Sequence, residues 1–529
     1  MPSFLSRIHD KIVVKSVDAD GHIRPVSAID NDSIRPTRLK DRTWTQLTYI
    51  SFWFSATAHV SNLYAASTGL TVGLSMWEAV ACSFAGQFLA GCLMALNGRA
   101  GALYWIPFPV LCRASFGPWG ALWPTFNRAV MSVVWMGVFL HAIFPSIENI
   151  PDKMGSKSAL DSAGMMCFLI YWLINCAFFV VPVPKMKSLV YIKFIVYYAA
   201  LIAMTGWTVS LAGGKTSAQI LRQGSTIHGT EKAWTIVRFL FIGLASCATF
   251  ISDAADMQRY ARRPNDVIWG QLFSFPVSAL VVAVFGNVIA SASVGVFGEL
   301  IWNPLDFLDM LMAGDRYTAG NRAGCAFIAL ALAYSTVFSA IFENSIPAGN
   351  DIASLLPKYI TIKRDFFICA LLSYAINPWY LLSSASVFIN FLSSYQIFLS
   401  AITGILICDY YLIRRGALNI PDLYTAFVAY VIAIVPYFYW FLNQMGVEAG
   451  LGVQRFYYVA YPVGVIIALA FYYCFVAFWR GKGSIVGGKG WRKPKEYLDE
   501  FDCARYDGEG SGLEGAVVEV QGVDATGKQ

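Results

Sequence analysis

Apolar runs near 20 residues recur along almost the whole chain, and about 20 residues carry a helix across the hydrocarbon core of a bilayer. They centre near residues 57, 86, 133, 174, 201, 246, 282, 333, 376, 400, 433 and 467. The hydrophobic fraction is 57% and the charged fraction 14%, against about 25% charged in a soluble domain. A soluble enzyme with buried helices is thereby excluded. A transmembrane barrel would show short alternating segments instead of long runs. The fold class expected is an all-α polytopic membrane protein of about twelve transmembrane helices.

The net charge of +6 is modest. In a membrane protein, basic residues set orientation, so no nucleic-acid partner is expected. The 11 cysteines form no C-x-x-C pair, and neither a disulfide framework nor a metal site is expected. Residues 1–44 are polar, and the first apolar run begins near Leu47 without the short core of a cleavable signal. Basic loops at Lys185–Lys187, Arg259–Pro264, Lys358–Arg364 and Leu412–Gly416 fall on one side of a twelve-span count, as do both termini. The positive-inside rule makes that side cytoplasmic. The stretch NPWYLLSS, residues 377–384, is expected to turn the chain between the ninth and tenth spans. After about residue 480 the chain is rich in Gly, Glu and Asp and is expected to be disordered.

Two stretches are alike. SATAHVSN (residues 55–62) lies in the first span and SCATFISD (residues 246–253) in the sixth. Five spans apart, they run in opposite membrane directions, as inverted repeats with two interrupted helices would. Small and hydroxyl residues also let helices pack closely, and a broken helix needs such packing to satisfy its free backbone groups.

An ionisable group inside a bilayer is costly and needs a reason. Residues 343–359, ENSIPAGNDIASLLPKY, follow directly on an apolar run and bring Glu343, Asn344, Asn350 and Asp351 together. Pro347 and Gly349 are expected to interrupt the helix beyond Ser345, giving either a water-lined polar site or a helix end with its cytoplasmic loop. Asp253 and Asp256 close the sixth span. In the third span Trp135 and Phe139 are spaced i, i+4, which suits an aromatic wall for a flat ring and equally suits core packing. His59 could carry a proton, donate a hydrogen bond to a ligand or simply pack; His141 could face an outer cavity. No P-loop, H-E-x-x-H or G-x-S-x-G motif is present, so no enzyme is expected.

RPTRLKDRTW (35–44), FPVLCRASFG (108–117), VVWMGVF (133–139), DMQRYARRP (256–264), ENSIPAGNDIASLLPKYI (343–360) and ICDYYLIRRG (407–416) together resemble the nucleobase–cation symporter-1 family, in its fungal uracil/allantoin (Fur-type) branch. The resemblance implies a leucine-transporter-type fold of two inverted five-helix repeats plus two helices. The domains expected are a cytoplasmic segment 1–44, a ten-helix core 45–413, two further helices over 414–479 and a cytoplasmic tail 480–529. It implies a plasma-membrane importer of a heterocycle such as uracil or allantoin, coupled to protons more readily than sodium, without a cofactor. A nucleoside or vitamin is the alternative cargo; a non-transporting sensor and a channel are the rival classes. By position, Trp135 resembles the stacking tryptophan and Asn344 the amide that reads the ligand edge. Asn350 and Asp351 match polar residues of the same motif. The pocket departs from the family pattern: Phe139 replaces a glutamine, His59 an asparagine and Cys247 a tryptophan, with Phe250 as the second ring. The resemblance makes Asn390–Tyr395 the outer gate. Glu343 is the first candidate proton carrier, ahead of Asp351 and His59.

Overall fold

The computed structural model describes residues 13–14, 16–17, 23–24, 34–37, 39–140, 162–178, 187–213, 224–376, 380–381, 384–416, 418, 423–443 and 450–479. Helices lie at or beside each of the twelve expected centres. The first span is two helices, α1 (Gln46–Ala56) and α2 (Val60–Thr71), separated by Thr57–His59. Next come α3 (Met76–Asn97), the short α4 (Arg99–Tyr104), α5 (Phe108–Gly120), α6 (Leu122–Leu140), α7 (Ser162–Phe178) and α8 (Lys187–Leu211). The sixth span is again two helices, α9 (Gly229–Ala245) and α10 (Ala248–Gln258). After them follow α11 (Phe275–Phe297), the short α12 (Pro304–Leu311), α13 (Ala319–Ser339) and α14 (Ile346–Leu355). The chain ends through α15 (Ile362–Ala375), α16 (Ala385–Ser394), α17 (Gln396–Ile407), α18 (Leu423–Asn443), α19 (Leu451–Tyr458) and α20 (Ala460–Trp479).

Seven helical stretches among the described residues are long and apolar enough to cross a membrane, and two shorter apolar helices join them. The first, third and ninth expected spans are not among these. α1 and α2 are each half-length, α15 has 14 residues, and α6 carries Arg128.

Helix starts follow side-chain chemistry. Ser75 and Glu78 form a reciprocal capping box at α3, with Ser75 N donating to Glu78 Oε2 at 2.9 Å. Thr318 caps α13 and Thr361 caps α15 by accepting the amides of Asn321 and Arg364. The break expected at Pro347 and Gly349 is absent. A π-turn over Ala340–Ser345 joins α13 to α14 instead, and Pro347 sits in the first turn of α14. A proline N–H is dispensable at a first turn, so the helix runs on without a gap. The expected turn at 377–384 falls between α15 and α16, with part of it outside the described residues; the tail after 479 and His141 also lie outside them.

Close approach depends on small residues. A Cβ on Gly86 would meet the Leu240 carbonyl oxygen at 2.3 Å, so α3 and α9 touch backbone to backbone. By contrast a Cβ on Gly206 would meet nothing within 4 Å. Gly86→Ala should lower the thermal midpoint of the purified protein by an overpacking cost of roughly 1–3 kcal/mol. Gly206→Ala should leave it unchanged or raise it, since alanine favours a helix by about 1 kcal/mol. Equal midpoints for the two variants would contradict this packing.

Candidate transport site

A helix broken inside a bilayer leaves carbonyls that water cannot reach, and each must find a donor. At the α1–α2 break, His59 is fully extended (φ −150°, ψ 160°). Four side chains answer the freed carbonyls. Asn62 Nδ2 donates to Thr57 O at 2.9 Å. Tyr197 Oη, on α8, donates to His59 O at 3.2 Å. Ser335 Oγ, on α13, donates to Ala58 O. Lys193 Nζ, also on α8, donates to Ser55 O and to Ser339 Oγ, both at 2.5 Å.

That lysine is 2% exposed. Its ammonium sits at the C-terminal end of α1, where the helix dipole is negative. Glu343, in the π-turn, supplies the countercharge. Its Oε1 lies 3.6 Å from Lys193 Nζ and its Oε2 lies 3.5 Å from His59 Nε2. Two of the three residues put forward as proton carriers, Glu343 and His59, are therefore neighbours, and an unforeseen lysine completes the trio. Lys193 went unnoticed because it follows the KMK loop closely and reads as part of a cytoplasmic end. Its spacing from Ser55, Ser335 and Ser339 carries no signal along the chain.

The second break is tighter. Ser246 and Cys247 make a turn, and Cys247 precedes α10 with φ −96° and ψ 7°. Tyr395 Oη donates to the Ser246 carbonyl at 3.2 Å, binding this break to the junction of α16 and α17. Around it lies a series of rings. Trp135 packs on Phe391 (centroids 5.2 Å), and Phe391 on Tyr395 (5.8 Å). Outward, Phe388 stacks on Trp302 and meets Tyr64.

α6 packs along the π-turn and α14, which brings Trp135 and Asn344 to facing elements in the interior; both are buried. Asn344 Nδ2 makes no hydrogen bond although the residue is only 6% exposed. Cys247 is buried at the turn itself. The ring beside Trp135 is Phe391, whereas Phe250 packs on Trp53 (5.9 Å) and Phe275 (6.2 Å). Phe250 also lines a small cavity of about 10 Å³ with Trp53, Asp253 and Glu343, room for about one water molecule. Asn390 is exposed, and Phe139 lies in α6.

Asn350 and Asp351 belong to a second polar cluster. Arg128, fully buried on α6, sends Nε to Asp351 Oδ2 at 2.5 Å and Nη2 to Asp351 Oδ1 and to Pro347 O. Its Nη1 meets Asp253 Oδ1 at 2.9 Å and also Asp256. Asn350 Nδ2 and Phe108 N both donate to Asp256 Oδ1, at 3.1 and 3.0 Å. Asp253 and Asp256 were singled out in the sequence, but Arg128, their common partner, was not. A third cluster closes the end of α17, where Arg414, Tyr472 and Ser115 all reach Asp409. No group of His, Cys, Asp and Glu among the described residues is arranged to hold a metal ion.

Two helices broken in mid-span, with a buried indole and a buried amide on neighbouring elements of the interior, suit a membrane transporter. Comparison with known proteins gives the family. Residues 36–464 match the profile described as permease for cytosine/purines, uracil, thiamine, allantoin, and the chain belongs to that family. The uridine permease of Saccharomyces cerevisiae is 33% identical, covering 92% of this chain and 82% of the relative. The allantoin permease of the same yeast is 31% identical, covering 90% and 80%. Its uracil permease is 29% identical, covering 93% and 84%. Among solved structures, the nucleobase-cation-symport-1 transporter Mhp1, closed with bromovinylhydantoin bound, superposes with TM-score 0.65 at 19% identity. That match covers 86% of this chain and 97% of that one. The inward-facing form of Mhp1 gives TM-score 0.64. The fold is thus the leucine-transporter type, and the protein is a transporter rather than an enzyme.

Breaking a buried ion pair by removing one partner costs about 3–5 kcal/mol, because a lone charge stays behind. Lys193→Met should therefore destabilise the protein strongly. The double variant Lys193→Met with Glu343→Gln should be more stable than Lys193→Met alone, as read by thermal unfolding of detergent-purified protein. A double variant no better than the single one would show that the two charges are not coupled.

Proposed function

We propose that this chain imports a flat nitrogen heterocycle of the uracil, allantoin or related nucleobase class by proton symport. It does so across the plasma membrane, with both termini cytoplasmic. The observation that carries the proposal is the buried Asn344 Nδ2, which makes no hydrogen bond, on an element packed against the helix of Trp135. An orphaned buried donor costs about 1–3 kcal/mol; a ligand carbonyl seated on the indole would satisfy it. The yeast relatives named for uridine, allantoin and uracil support the same class of cargo.

Lys193 supports protons over sodium. A fixed ammonium already occupies the carbonyl and hydroxyl groups at the first helix break, and a second cation there would be repelled. Glu343 is the carrier proposed, flanked by His59 and Lys193. Protonating it removes the countercharge of Lys193 and so biases one arrangement of the break over another. Only such a difference between states lets an ion drive transport.

A second reading concerns ligand size. Where the family pattern has a tryptophan in the sixth span, this chain has Cys247. A cysteine takes up less space than an indole, which favours a bulkier ligand, so uridine or another nucleoside, including a vitamin riboside, is the competing cargo.

Competition of radiolabelled uptake by uracil, allantoin, uric acid, uridine, thiamine and nicotinamide riboside decides between these readings. Asn344→Ala should abolish saturable uptake while surface abundance is kept; normal kinetics would remove the assigned site. Stacking of a base on an aromatic ring is worth about 1–3 kcal/mol. Trp135→Ala should therefore raise the half-saturating concentration roughly 5- to 150-fold, and Trp135→Phe much less. Equal loss from both variants would contradict stacking.

A further inference from the structure

The pocket at the helix breaks makes no use of Arg128, yet this guanidinium is the most heavily engaged charge among the described residues. Three carboxylates face it, from two different helices. Its contacts divide into two sets. One set is on α14: Asp351 through two nitrogens, and Pro347 O at 3.1 Å. The other is on α10: Asp253 and Asp256. Below the guanidinium lies the Phe108 ring, 4.4 Å from its carbon.

The two sets sit on parts of the fold with different freedom. α6 and α14 pack along each other, and α14 continues from α13 without a gap. α10 hangs instead on the turn at Ser246–Cys247. It is tied to α3 and α1. Asn97 Nδ2 donates to Ile251 O at 2.8 Å, Gln258 Nε2 to Met94 O at 3.2 Å, and Tyr49 Oη to Met257 O at 2.9 Å. A Cβ on Gly101 would meet Ala255 Cα at 2.6 Å, so the segment after α3 also lies flush on α10. Arg128 and Asn350 cross from the α6–α14 body to α10.

We propose that Arg128 is the latch of the cytoplasmic side: a positioning residue that holds the hinged helix α10 against α6 and α14, and that releases Asp253 and Asp256 when the path below the pocket opens. The proposal rests on the reading of this chain as an alternating-access transporter and adds a residue to it. The basic segment Arg259–Pro264 follows α10 immediately, which places the latch toward the cytoplasm. When α10 swings away, Arg128 keeps the two-pronged contact to Asp351 and the Phe108 ring. The freed carboxylates meet the water that enters. Bistable closure of this kind needs contacts that are strong when made and discrete when broken.

The test uses full-length protein carrying Ala254→Cys in inside-out membrane vesicles. Ala254 lies beside Asp253, lines the small cavity with Glu343, and is 1% exposed. A membrane-impermeant maleimide is applied, and modified peptides are mapped so that native cysteines are counted apart. Losing one partner of a buried charged contact shifts a two-state equilibrium by tenfold or more. Asp256→Asn and Asp253→Asn are therefore expected to speed modification at position 254 about tenfold or more over the parent. Arg128→Lys, which keeps the charge but loses the fork, is expected to act in the same direction. Asp253 has Arg128 as its side-chain partner, so Asp253→Asn carries the test if Asp256→Asn fails to fold. Rates within about twofold of the parent, in variants that elute as folded protein, would overturn the latch and leave Arg128 a static brace. The readout needs no substrate. Accelerated labelling without transport of any heterocycle would support the latch and sink the cargo assignment; normal transport with unchanged labelling would do the reverse.

Discussion

A lysine ammonium fixed in a broken helix organises this molecule. Interrupting α1 and α2 inside a bilayer exposes several carbonyls at once, and each left unpaired would cost a few kcal/mol. Lys193 answers one of them, and through Ser339 and Glu343 it joins α8 to the π-turn. Ser335 and Tyr197 answer the others from α13 and α8. The break is thus not a loose point but a junction of three elements. Its polarity then obliges Glu343 to be there: a buried cation needs a buried anion.

The two breaks divide the work unequally. The first is extended, rich in carbonyls and held by charge. The second is a single turn, tied by the Tyr395 hydroxyl to the junction of α16 and α17, and α10 leaves it to pack on α3 and α1. Between them lie the indole of Trp135 and the amide of Asn344. Below them lies the Arg128 cluster, where an excess of carboxylates is balanced only by close geometry. Two of the buried charge clusters, Lys193–Glu343–His59 and Arg128 with its carboxylates, thus lie at the helix breaks and along α10. Transport coupled to an ion requires that occupancy at the first alter the stability of the second. The cavity shared by Phe250, Asp253 and Glu343 lies between the two.

Much of the fold was legible in the sequence because hydrocarbon leaves the chain few options. Run lengths gave the spans, and the likeness of SATAHVSN to SCATFISD located both breaks. The role of Pro347 was misjudged: proline in mid-span suggests interruption, but a π-turn just ahead converts its position into a helix start. Trp135 and Asn344 were legible as an aromatic and an amide in apolar surroundings. Arg128 and Lys193 were not. Each is a single basic residue near an apolar run, and along the chain it reads as an interfacial anchor. What buries them is a set of partners more than a hundred residues away, which no local pattern announces. The ring beside Trp135 was missed for the same reason. Phe391 comes from α16, inside the Asn390–Tyr395 stretch expected as a gate, but nothing along the chain says that its ring meets Trp135.

The central proposal is that the Lys193 ammonium takes up the carbonyl and hydroxyl groups at the first break and that the proton is the driving ion. Purified protein in proteoliposomes tests this directly, with either a pH gradient (acid outside) in sodium-free buffer or an inward sodium gradient at equal pH. The account predicts concentrative uptake of the cargo under the pH gradient and none under sodium alone. Accumulation driven by sodium with no response to the pH gradient would contradict it.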